Sequence, residues 1–333
     1  MKIAYLGAGA WGFCLARLLA ENGHTVTSWS IEKPLVEILN STRVHPHLKD
    51  RPIKDNVRFT LSLEEALEGA EMVVESVTSA GIRPVFEEVK KISLNKNIPI
   101  CLTSKGIEQN SGLILPDVVA QVLGDEYRSH ICVLSGPSFA EEVSRNLPTS
   151  VVLGSYDTTL ALQVALAFTS SFFRVYPNSD VLGVAFGGAL KNIIAIACGI
   201  SDGLDLGNGA RAALMTRGLH EMVKLARHFG CKQETLYGLS GMGDLFLTCS
   251  SSTSRNYSFG KLLSQGRSTH DAKKQIEMVV EGAYTCISAV QLSKRVQTPM
   301  PISETVLLIL EGKIEPLEAV GLLMQRMIKE ETL

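Results

Sequence analysis

The residue in this chain best placed by its surroundings to do chemistry is a lysine inside an apolar run. Val181 to Gly203 reads VLGVAFGGALKNIIAIACGISDG, and over its first twenty residues Lys191 is the one charge, with Asn192 beside it. A helix here would stack Lys191 against Gly187, Gly188, Ile194 and Ala195, a mostly small face that leaves room against the backbone. A lysine in water titrates near about 10.4. Burial alone lowers that value by up to roughly 3–5 units, which reaches the range useful for general acid–base catalysis. The competing reading is a core helix whose lysine reaches out to solvent.

Five other stretches carry candidate chemistry. Gly7-Ala8-Gly9-Ala10-Trp11-Gly12 follows the apolar run Lys2 to Leu6 and precedes a helical period over Phe13 to Asn22, with a second β-rich run at Thr25 to Trp29. Strand, glycine turn, helix and strand within about 30 residues is the context in which G-x-G-x-x-G binds a dinucleotide. Gly7 permits the turn, Gly9 admits a pyrophosphate, Gly12 lets helix and strand pack, and the helix N-terminus faces the phosphates. Ser104-Lys105-Gly106 and Ser135-Gly136-Pro137-Ser138-Phe139-Ala140 each follow a strand-like run and could present donors to a ligand, or could be turn punctuation. Ser254-Arg255-Asn256, in the polar stretch Thr248 to Asn256, is the best phosphate candidate, against the alternative of an exposed loop arginine. Asp244 closes the glycine-rich turn Gly238 to Asp244 and could orient Lys191 or a substrate hydroxyl, or cap a helix.

The elements that must position these residues fall into two regions. After Trp29 a short helix beyond Pro34 leads to the polar stretch Ser41 to Asn56, where His45 and His47 read as a surface loop rather than a metal site. Alternation then resumes. Strands are expected at Val57 to Thr60, Met72 to Val77, Ile98 to Thr103 and Ile131 to Leu134, with helices at Leu63 to Glu68, Ile82 to Ile92 and Leu113 to Leu123. Thr149 to Leu153 and Phe172 to Tyr176 close the sheet in a direction their residue types leave open. Such alternation predicts an α/β, doubly wound, mostly parallel sheet, with ligands beyond the carboxyl ends of its strands.

From Asp180 onward the periods are helical, with helices expected over Ala210 to Phe229, Phe259 to Leu263, Ala272 to Val280, Tyr284 to Val296, Thr305 to Leu310 and Glu315 to Lys329. The boundary near Tyr176 to Val181 divides residues 1–180, a nucleotide-binding sheet domain, from an all-α domain at 181–333. At 333 residues the chain suits two domains. A net charge of −2 gives no electrostatic basis for nucleic acid or an anionic membrane surface. Seven cysteines without a C-x-x-C pair suit a reducing compartment. No signal peptide is read at the N-terminus. The Lys-Asn pair and the four glycines among the first twenty residues of Val181 to Gly203 argue against a lone membrane span. A cytoplasmic protein with no stable membrane insertion and no metal is expected.

Taken together, Gly7-x-Gly9-x-x-Gly12, Ser104-Lys105-Gly106-Ile107-Glu108, Ser135 to Ala140, Gly187-Gly188-Ala189-Leu190-Lys191-Asn192, Gly241-Met242-Gly243-Asp244-Leu245, Ser254-Arg255-Asn256 and Val279-Val280-Glu281-Gly282 resemble the bacterial-type NAD(P)-dependent glycerol-3-phosphate dehydrogenases. The likeness runs from Gly7 to about Glu311. It implies a Rossmann-type domain followed by a helical one, and reversible hydride transfer between NAD or NADP and C2 of sn-glycerol 3-phosphate, giving dihydroxyacetone phosphate. By position it makes Lys191 the catalytic proton acceptor, and Lys105, Gly136, Ser138, Lys191, Asp244, Ser254, Arg255 and Asn256 substrate contacts. Cofactor contacts would be Gly7, Gly9, Ala10, Trp11, Gly12, Lys105, Ala140, Arg255, Val279 and Glu281. It further implies a small phosphorylated triose or glycerol as substrate, a role in glycerophospholipid synthesis and a homodimer. Two departures stand out. Ser30-Ile31 replaces the family's usual His or Arg after the second strand, leaving NAD against NADP open, and Val77-Thr78-Ser79 replaces Val-Pro-Ser. Two-domain β-hydroxyacid dehydrogenases and a non-enzymatic nicotinamide sensor are the alternatives, and the Ser254-Arg255-Asn256 and Ser135 to Ser138 stretches favour neither.

Overall fold

The structure, a computed structural model, describes residues 1–48, 51–92, 94–328 and 330. Short, mostly buried runs form the strands, as expected where helices cover both faces of a sheet, the last strand alternating buried and exposed residues. They are β1 (Lys2–Leu6), β2 (Thr25–Trp29), β3 (Val57–Thr60), β4 (Met72–Glu75), β5 (Ile100–Leu102), β6 (Ile131–Ser135), β7 (Thr149–Ser155) and β8 (Phe173–Asn178). Their order is β3-β2-β1-β4-β5-β6-β7-β8. Pairing is parallel from β3 across to β6, antiparallel between β6 and β7, and parallel again between β7 and β8. The helices of this region are α1 (Ala10–Glu21), α2 (Lys33–Thr42), α3 (Leu63–Leu67), α4 (Ile82–Lys91), α5 (Leu115–Leu123), α6 (Ala140–Ser144) and α7 (Thr158–Phe168).

Strand order reverses at β1, which pairs with β2 on one side and β4 on the other. That reversal opens a crevice beyond the carboxyl ends of β1 and β4, where open α/β sheets bind ligands. Gly7 and Ser76 stand there. The α1 helix ends at Asn22, with Gly23 N–H donating to Ala20 O and His24 N–H to Leu19 O, the paired bonds of a Schellman stop.

The remaining helices are α8 (Val181–Gly203), α9 (Gly207–Arg227), α10 (Gln233–Tyr237), α11 (Asp244–Cys249), α12 (Arg255–Ser264), α13 (Thr269–Ile276), α14 (Glu281–Arg295), α15 (Pro301–Leu310) and α16 (Pro316–Met324). The apolar stretch that forms α8 is long enough to cross a membrane, yet 94% of its apolar 18-residue window is buried inside the protein, so its hydrophobicity is that of a core helix. Two compact units divide the chain: Met1–Ser104 with Leu115–Val184, and Lys105–Ile114 with Ala185–Leu333. The division is therefore not a single cut near Val181. The strap Lys105–Ile114 joins the helical unit, tied by Lys105 to Asp244 and by Arg295 Nη2, which donates to Ser111 O at 3.0 Å.

Several expected boundaries shift. The stretch Thr248 to Asn256 is not one polar loop: Thr248 and Cys249 finish α11, and Ser254 caps α12, so Arg255 and Asn256 form a first helical turn. The helix expected to run to Lys329 ends at Met324, and Lys329 lies outside the described residues. Within Ser41 to Asn56, of which Lys49 and Asp50 lie outside the described residues, α2 continues to Thr42. His45 is not on the surface. It is 2% exposed and packs against Phe13 at 5.6 Å between ring centroids, and burial lowers its pKa to about 4.

One buried carboxylate serves the frame rather than chemistry. Glu221 of α9 accepts from the Ile302 and Ser303 amides and from Ser303 Oγ, satisfying the start of α15, and burial raises its pKa to about 7. Glu221→Ala leaves those donors without acceptors and is expected to cost about 2–3 kcal/mol. Equilibrium urea unfolding checks this, and a loss under about 0.5 kcal/mol would contradict it.

Candidate active site

Two sets of residues assemble, one in each unit. In the sheet unit, the turn Gly7–Gly12 is shaped by its glycines. Gly7 has φ +111°, and a Cβ there would sit 2.8 Å from the Ser76 carbonyl; a Cβ on Gly12 would lie 2.1 Å from Gly7 O. Gly9 differs. A Cβ there would meet nothing within 4 Å, so the protein itself does not require glycine at this position. The open space lies at the N-cap of α1, where no side chain caps the first amides. A cradle of unpaired amides that a methyl would fill suits a pyrophosphate. Gly9→Ala is accordingly expected to keep the melting temperature within about 3 °C of the parent while weakening NADH binding at least tenfold by about one lost charge-assisted contact. Differential scanning fluorimetry and equilibrium dialysis measure both, and unchanged binding would contradict the cradle.

Ser135 to Ala140 belongs to the same unit. The Ser138 hydroxyl donates to Gly136 O at 3.1 Å, and Ala140 opens α6, whose start is tied to α1 by Cys14 Sγ donating to Ala140 O at 3.4 Å. At the switch point Tyr5, Ser76 and Thr103 link their hydroxyls, at 2.7 Å and 2.6 Å.

The helical unit holds the lysines. The Lys191 side chain is 7% exposed, and its Nζ donates to Asp244 Oδ1 at 2.5 Å and to Thr248 Oγ1 at 2.6 Å. Lys105 Nζ donates to the other oxygen, Asp244 Oδ2, at 2.6 Å. Asp244 is 1% exposed, so one buried carboxylate holds two ammonium groups. Thr248 Oγ1 in turn donates to Asp244 O at 2.6 Å, one turn back along α11. Burial pulls the Lys191 pKa down to about 8; the Asp244 charge opposes the fall and the Lys105 charge assists it.

Part of the small face of α8 is taken up by backbone. A Cβ on Gly187 would stand 2.6 Å from Ser240 O, so at that residue the space is filled by the neighbouring chain. That backbone is Leu239–Gly243, a π-helical turn rather than an open glycine turn, running directly into α11. The close approach is what delivers Asp244 to Lys191. Asp244 is not the cap it could have been; it lies inside the first turn of α11, with Gly243 at the N-cap.

The next residue of α8 organises a second group. Asn256 Nδ2 donates to Asn192 Oδ1 at 3.0 Å, and the Gly282 amide donates to Asn256 Oδ1 at 2.9 Å. Arg255 stands beside it as the exposed member of an otherwise mostly buried first turn of α12, its Nη1 donating to Val279 O at 3.0 Å. Ser254 is 3% exposed, and its hydroxyl caps α12 by accepting from Tyr257 N–H at 3.3 Å. Packing around the guanidinium lowers the Arg255 pKa, and the charge of Glu281, which opens α14, offsets only part of that fall. Thr248 was missed in the sequence. Its cue was the i+4 spacing from Asp244 on a helix. Among the described residues no group of three or more His, Cys, Asp or Glu is arranged to hold a metal.

The sheet order, the switch-point glycine turn and the buried Lys-Asp pair define the class: a dinucleotide-binding α/β unit followed in the chain by a helical unit that buries an ammonium–carboxylate pair. Residues 2–161 match the NAD-dependent glycerol-3-phosphate dehydrogenase N-terminus and residues 180–321 its C-terminus. The chain is 59% identical over 332 residues to "Glycerol-3-phosphate dehydrogenase [NAD(P)+]" of Protochlamydia amoebophila (strain UWE25), covering 100% of this chain and 99% of that protein. It is 51% identical over 331 residues to the protein of the same name from Chlamydia pneumoniae, covering 99% of each. Among solved structures, glycerol-3-phosphate dehydrogenase from Coxiella burnetii superposes with a TM-score of 0.92 at 39% identity, covering 98% of this chain and 99% of that one. The chain belongs to the NAD-dependent glycerol-3-phosphate dehydrogenase family.

Proposed function

We propose that this protein interconverts dihydroxyacetone phosphate and sn-glycerol 3-phosphate, using NAD or NADP. The observation that carries the reading is the buried Lys191, held by Asp244 and titrating near pH 8. A bound nicotinamide supplies or accepts the hydride at C2 of the substrate. The chain's own residues manage the proton and the phosphates. In reduction the Lys191 ammonium protonates the developing alkoxide, and in oxidation neutral Lys191 takes the hydroxyl proton. Asp244 fixes the direction of Lys191 Nζ, and Lys105 adds positive charge to stabilise the alkoxide. Gly7, Gly9, Ala10, Trp11 and Gly12 are assigned to the pyrophosphate, with Lys105, Ala140, Arg255, Val279 and Glu281 as further cofactor contacts. Substrate contacts are assigned to Lys105, Gly136, Ser138, Lys191, Asp244, Ser254, Arg255 and Asn256.

Arg255 and Asn256 take the substrate phosphate in this assignment, Asn256 through the N–H that its bond to Asn192 leaves over. Arg255→Ala should raise KM for dihydroxyacetone phosphate at least tenfold by about 1.5–3 kcal/mol of lost charged hydrogen bonding. Steady-state kinetics measures it, and an unchanged KM puts the phosphate elsewhere. The direct test of the function is loss of reduced-nicotinamide absorbance when dihydroxyacetone phosphate is added; no loss with either NADH or NADPH sinks the reading.

The finer setting follows from the same resemblance: a cytoplasmic enzyme supplying glycerophospholipid synthesis and acting as a homodimer. The exposed apolar residues Leu317, Leu322 and Met324 of α16 support a partner surface in the helical unit. Light scattering should give twice the 36.1 kDa chain mass, and a monomer removes the dimer from the proposal.

A further inference from the structure

We infer that this protein binds NAD in preference to NADP, and that Ile31 is the residue that sets the preference. The inference rests on reading the sheet unit as the dinucleotide-binding unit. Parallel pairing aligns Leu6 with Trp29, and the Gly7 amide donates to Trp29 O at 2.9 Å. The chain just past Trp29 is therefore level with the glycine turn. There the adenosine ribose of a dinucleotide seated on that turn meets the protein.

What stands at that place does not suit a 2′-phosphate. Such a group carries nearly two negative charges and three acceptor oxygens, and its usual partner is an arginine fork or another cation. Ser30 is 6% exposed and folded into its own loop: its amide donates to Thr60 O, and its hydroxyl accepts from Glu32 N–H at 3.2 Å. Ile31 follows with a side chain 79% exposed, an apolar group in the position open to the ribose. Glu32 comes next and would repel a phosphate while remaining able to accept from ribose hydroxyls.

The described cations of β2, α2 and β3 do not supply the missing charge. Lys33 is 72% exposed and faces Glu37 one turn on, at 3.9 Å. Arg58 is paired with Glu65. Arg43 lies past the far end of α2, where it donates to Lys54 O and covers the Phe59 ring. Lys54 precedes β3, at the amino edge of a parallel sheet and so at the opposite end from the ribose. The N-terminus of α2 is also poorly equipped for an anion, because Pro34 lacks an N–H and Glu32 occupies the N-cap.

Direct binding tests this. The chain's two tryptophans, Trp11 and Trp29, both lie beside this site, so their fluorescence reports each reduced dinucleotide without turnover. NADH should bind at least about tenfold more tightly than NADPH at equal ionic strength, the size of a missing charge-assisted contact. Ile31→Arg should tighten NADPH binding by a similar factor, and Lys33→Ala should leave the NADPH dissociation constant within about twofold. Equal affinities in the parent protein overturn the inference. So does an Ile31→Arg variant that melts as the parent does yet gains no NADPH affinity, or a Lys33→Ala variant that loses it. If neither dinucleotide changes the fluorescence or competes in dialysis, the dinucleotide reading falls and takes the inference with it. If NADH is preferred but dihydroxyacetone phosphate is not reduced, the dehydrogenase reading fails and the preference stands.

Discussion

Lys191→Met lowers kcat by at least about 100-fold in both directions, the range a positioned general acid or base supplies. Methionine keeps most of the length and volume of the side chain and removes the transferable proton. Lys191 is buried beside Asp244 and Thr248, so an apolar side chain there loses two hydrogen bonds but fits a largely apolar helix environment. Asp244 still has Lys105 as its counter-charge. Dinucleotide binding, which the reading places chiefly on the sheet unit, should persist, so tryptophan quenching by NADH separates lost chemistry from lost folding. A variant turning over at near the parent rate removes Lys191 from the proton transfer.

Asp244→Asn has the second large effect, on stability and on pH dependence together. The substitution keeps shape and removes the one carboxylate between Lys191 and Lys105. Uncompensated charge at a buried pair costs about 3–5 kcal/mol, lessened here because Lys191 can shed its proton. In the parent, Asp244 raises the Lys191 pKa against burial and against Lys105; without it the value falls below about 8. The sign of the stability change follows. Lys191 titrates lower in the folded chain than in the unfolded one, so between the two values the unfolded chain holds more protons and stability rises with pH. That window opens near pH 8 in the parent and lower in the variant. Urea unfolding across pH, read beside the pH–rate profile, checks both parts. A variant with parental stability and an unmoved profile would mean that Asp244 does not govern Lys191.

Much of this was legible in the sequence because it is local. The glycine turn, the strand runs and the apolar helix around Lys191 each sit within a few residues of their signal. The Lys105 and Lys191 contacts to Asp244 span 139 and 53 residues, and no periodicity encodes such a separation. Small residues on the α8 face read as space, since a sequence does not say whether backbone or ligand fills it; at Gly187 it is the Ser240 carbonyl. The π-helical turn Leu239–Gly243 hid behind its glycines, which favour turns in any short window. The polar run before Arg255 concealed a helix start because serine suits both a loop and an N-cap, and only the Ser254 to Tyr257 bond distinguishes them. His45 looked exposed beside a proline, but its ring is covered by Phe13. The antiparallel turn of β7 depends on how the chain returns through α6, which residue types do not record.

The most direct test is the pH dependence of kcat/KM in the two directions, which reports ionisations of the free enzyme. If Lys191 with a pKa near 8 is the proton donor and acceptor, reduction of dihydroxyacetone phosphate falls as pH rises through about 8. Oxidation of sn-glycerol 3-phosphate rises through the same value, and both limbs move to lower pH in Asp244→Asn. Profiles that stay flat across that range in both directions, or that ignore the Asp244 substitution, would contradict the assignment of Lys191.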